Sequence, residues 1–414
     1  MKRTFLLVVA LLVIGTSANS FAAPAPIIVK PIILISSAAG AEGLAVTGKI
    51  IITYSNTVSS SQDITVIGRD VNGLILWQKV IDSGVDEIAS SMAIAANGDI
   101  WLAGSSALTA LTDTPTVTRT DTPTVTRTDT PTVTSEVISP DGVLIETLTP
   151  LRNDMNQTTL WHMNPSGVLL QSFSALNSSP LLISAMSINA NGISVVGLQG
   201  QNSVLVNATL TGSFSPVFIL GSELTLLTGV ARNPDATVNV FGSSSESLKG
   251  QKTMGVRDGI LLKVAKGGKL LSVVRSSALK AKRSWLSTSQ TLFLGGDVIA
   301  GKKIESALTK FSPTFTPSWT LRVPSTGSTA VIDGPANSYF ATFTSTGPIA
   351  GIPKWNPKSP TTMILAFSGA GKITAAFSGT EIFSQISMGY SKESGLYILG
   401  STKSDSIIYR VTSR

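Results

Sequence analysis

The 414 residues contain no cysteine and one histidine, only 13% of them are charged, and the formal net charge is +7. The missing cysteines exclude disulfides, thiolate metal sites, cysteine nucleophiles, haem attachment and a lipoprotein anchor, and the lone His162 excludes a multi-histidine metal centre within one chain. A chain this long needs no disulfides, because a domain of about 300 residues already buries most of its unfolded-state surface.

Lys2 and Arg3, an apolar run from Phe5 to Ile14 and a small-residue tail from Thr16 to Ala25 make the three parts of a secretory signal peptide. Ser20 and Ala22 place cleavage after Ala22, so residues 1–22 are expected to be removed and 23–414 to form one exported domain without a membrane span. The mature chain opens with an apolar strand, Ile27 to Ile35, interrupted by Pro31.

From there a repeat runs to the end of the chain. One half-unit is an apolar strand, a turn and a second apolar strand ending in a small residue. It reads Ser91 to Gly104, returns as Met186 to Gly197, and has weaker copies ending at Tyr54, Gly242, Gly295, Phe343 and Gly400. The other half-unit is a hairpin. Its copies are Ile64 to Val80, Leu160 to Phe173, Val204 to Phe218, Ile260 to Val274, Met363 to Phe377 and a proline-marked Ala307 to Leu321. Glycine marks most of these turns, as positive φ requires. Two strands plus two strands predict a four-stranded blade, and blades stacked radially predict an all-β propeller. The aligned ends fall 50, 93, 45, 53, 48 and 57 residues apart. The doubled interval contains an insertion, so seven blades are expected, with six and eight as alternatives, an eighth being a degenerate blade around Val137 to Leu148. The last copy lacks one strand, which the segment Ile27 to Ile35 can supply by pairing the two chain ends.

The insertion holds three octads over Thr112–Ser135, Thr-Asp-Thr-Pro-Thr-Val-Thr followed by Arg, Arg and Ser. Regular proline and few large apolar groups predict an extended, disordered loop.

Asp86-Glu87, Ala93-Ile94, Asn97-Gly98 and Trp101 to Ser106 resemble the bacterial β-propeller repeats of the SBBP type, and Gly73 to Trp77 is similar to the tryptophan-bearing strand of quinoprotein-like propellers. Ala95 stands where the repeat often has an acidic residue. The resemblance implies an architecture and brings over no catalytic, cofactor or metal residue, and none is assigned.

Charge divides along the chain, with a net of −9 over residues 23–248 and +14 over 249–414. Lys249 to Arg283 alone carries ten cations against Asp258. The candidate binding surface is therefore Lys280, Lys282, Arg283, Trp285, Lys354 and Trp355, with Trp285 and Trp355 expected to be exposed. The other strand tryptophans, Trp77, Trp101, Trp161 and Trp319, are expected to pack between blades. Asp82, Asp86 and Glu87 cluster on a loop where paired carboxylates would serve glycoside hydrolysis. Gly267-Gly268-Lys269 sits in a hairpin and is no phosphate loop. The expectation is an exported, non-catalytic binding or scaffold protein, monomeric, with an anionic cell-envelope polymer or another envelope protein as partner rather than nucleic acid. The alternative is a polysaccharide-directed hydrolase or lyase working with carboxylates in the central channel.

Overall fold

A computed structural model describes residues 26–58, 62–108, 152, 154–379, 384–402 and 405–412. The signal segment, the octads and the extra hairpin at Val137–Leu148 lie outside the described residues. The described residues form seven sheets of four or more strands, six of them built on four consecutive antiparallel strands, and hold no helix. Blade 1 spans 43–81, blade 2 87–176, blade 3 181–222, blade 4 225–276, blade 5 282–324 and blade 6 330–378. Blade 7 has three strands of its own, Ser384–Ser391, Gly395–Ser401 and Ser406–Val411. The innermost strands touch one another in sequence round the ring, the last contacting the first, so the chain is a closed seven-bladed β-propeller.

Closure uses the N-terminal segment, but in two pieces. β1 (Val29–Pro31) adds a parallel fifth strand to blade 6. β2 (Ile33–Ser37) then pairs antiparallel with Ser406–Val411 as the fourth strand of blade 7. The sequence reads as one strand. The break falls at Pro31–Ile32, where a residue without an N–H ends one ladder before the chain crosses to the next blade.

Two recurring devices hold blade to blade. Around the channel, bulges in the innermost strands of blades 2, 3, 4, 5 and 7 insert one residue each. The bulges turn hydroxyls onto the next blade. Ser184 donates to the Leu227 carbonyl at 2.5 Å, Thr228 to Trp285 at 2.6 Å and Ser387 to Leu44 at 2.9 Å, while Ser287 accepts from the Val331 N–H at 3.0 Å. The glycines that close the repeated half-unit belong to this device. A Cβ on Gly104, Gly197 or Gly242 would collide with a backbone carbonyl of the neighbouring bulged strand, and in blade 5 the glycine that does so is Gly296, one residue beyond the predicted end at Gly295.

At the rim, a large side chain on a blade's outermost strand packs on the third-to-fourth-strand turn of the next blade, where a glycine at positive φ leaves room for it. Trp77 covers Gly167, Phe173 covers Gly212, Phe218 covers Gly268 and Trp319 covers Gly371. The two tryptophans also donate from Nε1 to carbonyls of those turns, Pro165 at 3.2 Å and Gly369 at 3.1 Å. The expectation that Trp77 and Trp319 pack between blades is met.

The junction of blades 4 and 5 inverts the pattern. The turn glycine is replaced by Phe315 at φ 61, buried with Phe241 and Trp285. Its partner strand carries Val274 at the register position of Phe173 and Phe218, each opposite a leucine of the adjacent strand. The large group has moved from strand to turn.

This rim contact separates two glycines of similar backbone geometry. Gly371→Ala places a Cβ 2.5 Å from the Trp319 ring at φ +80 and should destabilise by about 2–4 kcal/mol. Gly395→Ala meets nothing within 4 Å at φ +89 and should cost about 1 kcal/mol. Denaturant titration of both variants checks this, and equal losses would show that the contact carries no weight.

Candidate binding face

Strand direction alternates within each blade, so the second-to-third-strand turns and the connections between blades share one face, called upper below. All six sequence-selected residues belong to elements at this face, but the structure divides them. Lys280 and Lys282 are exposed where blade 4 passes to blade 5, and Lys354 is exposed in the 346–360 connection of blade 6. Trp285 is not exposed. It is 1% accessible, set edge-on to Phe311 with ring centroids 5.6 Å apart. Arg283 is buried above it, its guanidinium 4.5 Å from the Trp285 ring centroid. Both sit on the innermost strand Lys282–Thr288, and two residues apart they face the same way, into the space between blades 4 and 5. Burial, with the nearby Arg322 charge second, pushes the Arg283 pKa down to about 10. Trp355 is half-buried against the blade 6 core and donates from Nε1 to Ser345 Oγ at 3.0 Å, so it anchors its loop.

The structure adds residues that the sequence reading passed over. The 245–257 connection of blade 4 carries exposed Lys249 and Lys252 and lifts Met254 and Val256 into solvent, 75% and 54% accessible. Beside it, Leu279 is 83% accessible, and the two loops are bonded through Val256 N–H to the Ala281 carbonyl at 2.9 Å. Their base is fixed by Asp258. This carboxylate is fully buried, accepts the Met254 and Gly255 N–H groups at 2.9 and 3.0 Å, and meets Arg275 at 3.5 Å. Apolar tips therefore stand on a braced loop pair among lysines. The signal was present in the sequence as large apolar residues within a lysine-rich run.

Across the ring, the upper face of blades 1 and 2 is acidic. Asp86 accepts the Gln62 N–H at 2.9 Å and pairs with Arg152, which also pairs with Asp154. These contacts, the Gln62 bond first, hold the Asp86 carboxyl below its usual range. The charge division along the sequence becomes a division across one face.

The channel, about 800 Å³, is lined by all seven innermost strands with mostly serine, threonine, alanine and small aliphatic groups. Its described carboxylates are Glu42, before the innermost strand of blade 1, and Asp333, at the end of that of blade 6. They stand at opposite ends, roughly one strand length apart (~13–17 Å). Glu42 accepts from Asn56 at 2.6 Å, and Asp333 accepts from Thr291. His162 lies away from the channel, stacked on Trp101 at 4.2 Å, with Nε2 2.8 Å from Asp99.

No protein-family model and no curated protein matches the sequence. Among solved structures the chain is similar to a streptogramin B lyase, with TM-score 0.51 and 11% identity over 94% of this chain and 98% of that one. It is also similar to the WD40 domain of Toxoplasma gondii coronin, with TM-score 0.50 and 7% identity over 94% and 89%. At these identities the likeness is one of fold alone. The class is the seven-bladed β-propeller.

The Asp258–Arg275 pair supports the loop base, and breaking it from one side leaves a buried charge. Arg275→Met should cost about 3 kcal/mol, and Asp258→Asn combined with Arg275→Met should recover most of that loss. Thermal unfolding of the two variants tests this, and a double variant no better than the single one would contradict it.

Proposed function

We propose that this propeller is an exported, non-catalytic binding or scaffold protein that docks on an anionic component of the cell envelope through the basic sector of its upper face. The observation that carries the reading is the braced loop pair of blades 4 and 5, where exposed Met254, Val256 and Leu279 stand among Lys249, Lys252, Lys280 and Lys282. Such a surface pairs charge attraction with an apolar contact, and large exposed apolar groups grouped together mark interaction sites. The signal-like segment ahead of Ala22 supports export, and an envelope polymer or an envelope protein with an acidic surface fits the charge. Carboxylate hydrolysis in the channel is less well supported, because paired acids work at about 5–9.5 Å and Glu42 and Asp333 stand at opposite ends.

The test is binding of the purified mature protein to isolated envelopes at rising salt. Exposed charge attraction is screened over ~10 Å at 0.1 M, so binding should weaken at least about tenfold between low and moderate salt. It should also weaken in a variant carrying Lys252→Gln, Lys280→Gln and Lys282→Gln. Arg283 is left intact because it is buried. Absent binding, or binding indifferent to both salt and substitution, would overturn the reading.

A further inference from the structure

The acids that the sequence places together, Asp82, Asp86 and Glu87, regroup in the fold. Asp86 turns to Gln62 and Arg152, and Asp63, from the third strand of blade 1 (Gln62–Arg69), joins the other two. One carboxylate oxygen each from Asp63, Asp82 and Glu87 lies within 4.8 Å of the others. Oxygens that share one calcium ion at 2.3–2.6 Å stand at most about 5 Å apart, so the three fit a single coordination sphere.

A second observation concerns Glu87 alone. It is 1% exposed, its Oε1 accepts the Ser83 N–H at 3.0 Å and the Ser83 hydroxyl, and its buried Oε2 meets no donor among the described residues. A buried carboxylate oxygen without a donor is costly unless a cation takes that place. Neither Glu87 nor Asp82 joins an ion pair among the described residues. Burial first, and then the charges of Asp63 and Asp82, raise the Glu87 carboxyl above its ordinary range. Asp82 and Glu87 thus bring negative charge to the blade 1–blade 2 junction with no ion-pair partner among the described residues.

We propose that Asp63, Asp82 and Glu87 bind a calcium ion that staples the entry of blade 2 to blade 1. Calcium fits better than magnesium, because a fully buried carboxylate must ligate directly. Magnesium dehydrates reluctantly and demands near-ideal octahedral geometry. Asp82, exposed on the connection between the blades, provides the route in. This site is separate from the basic sector, so its test does not depend on docking.

The experiment titrates calcium chloride into the chelator-treated full-length protein, followed by calorimetry and by thermal unfolding, with magnesium chloride in parallel. Calcium should bind and raise the melting temperature saturably. Asp82→Asn, which keeps an oxygen for the Gly84 N–H now bonded at 2.8 Å, should weaken binding at least about tenfold. Glu87→Gln should melt higher than the parent in chelator, because like-charge repulsion is removed, and should not respond to calcium. No calcium binding by the parent protein would overturn the proposal, as would an unchanged response in both variants or an equal response to magnesium.

Discussion

The ring depends on how one blade's outermost strand meets the turn of the next. Sheets that pack face to face need large side chains to fill the space between them, and a turn at the edge of that space has little room for any. Glycine resolves the conflict at Gly167, Gly212, Gly268 and Gly371, because the turn needs positive φ and the neighbouring Trp77, Phe173, Phe218 or Trp319 occupies the place of a Cβ. The blade 4–blade 5 junction shows that volume is what is conserved. Phe315 accepts the left-handed conformation, and Val274 makes way for it. A residue with a Cβ in that region bears strain of roughly 1–2 kcal/mol, which burial of an aromatic ring offsets.

The rim contacts all lie on the turns of the lower face, and the hydroxyl contacts lie around the channel. Both regions are thereby committed to holding the frame, and the upper face is left to vary. There the chain has its long connections, 245–257 and 346–360, with exposed Met254, Val256 and Leu279 among lysines over one sector and carboxylates over blades 1 and 2. The channel follows the same logic. Its bulged inner strands present small hydroxyls because those groups bond to the next blade, which leaves few positions for acids.

Much of this was legible because the repeat is a backbone phenomenon. The half-unit ending at Gly104 and Gly197 marks a bulged pair of strands where only glycine clears a carbonyl, and the hairpin glycines mark turns that require positive φ. Closure by the chain ends was legible from a missing strand at one end and a spare one at the other. The split at Pro31 was not, because which blade an edge strand joins depends on where neighbouring edges lie in space. Arg283 and Trp285 misled because a basic run crosses from an exposed loop into the innermost strand without a change in composition, and burial begins at the strand. Asp63 was missed beside Glu87 because 24 residues separate acids that blade packing brings together. Lys280 and Lys354 remain on the surface because loops supply them, and Lys282 because it stands at the exposed first position of its strand.

The most direct test of the frame is a double-mutant cycle at the inverted junction, read as unfolding free energy. Val274→Phe crowds a core already filled by Phe315, and Phe315→Gly leaves a cavity, so each alone should cost about 2–3 kcal/mol. Together they recreate the arrangement of Phe218 over Gly268, and the double variant should return to within about 1 kcal/mol of the parent, a coupling of more than about 2 kcal/mol. Losses that simply add would contradict the account, because strand and turn would then not be sharing one volume.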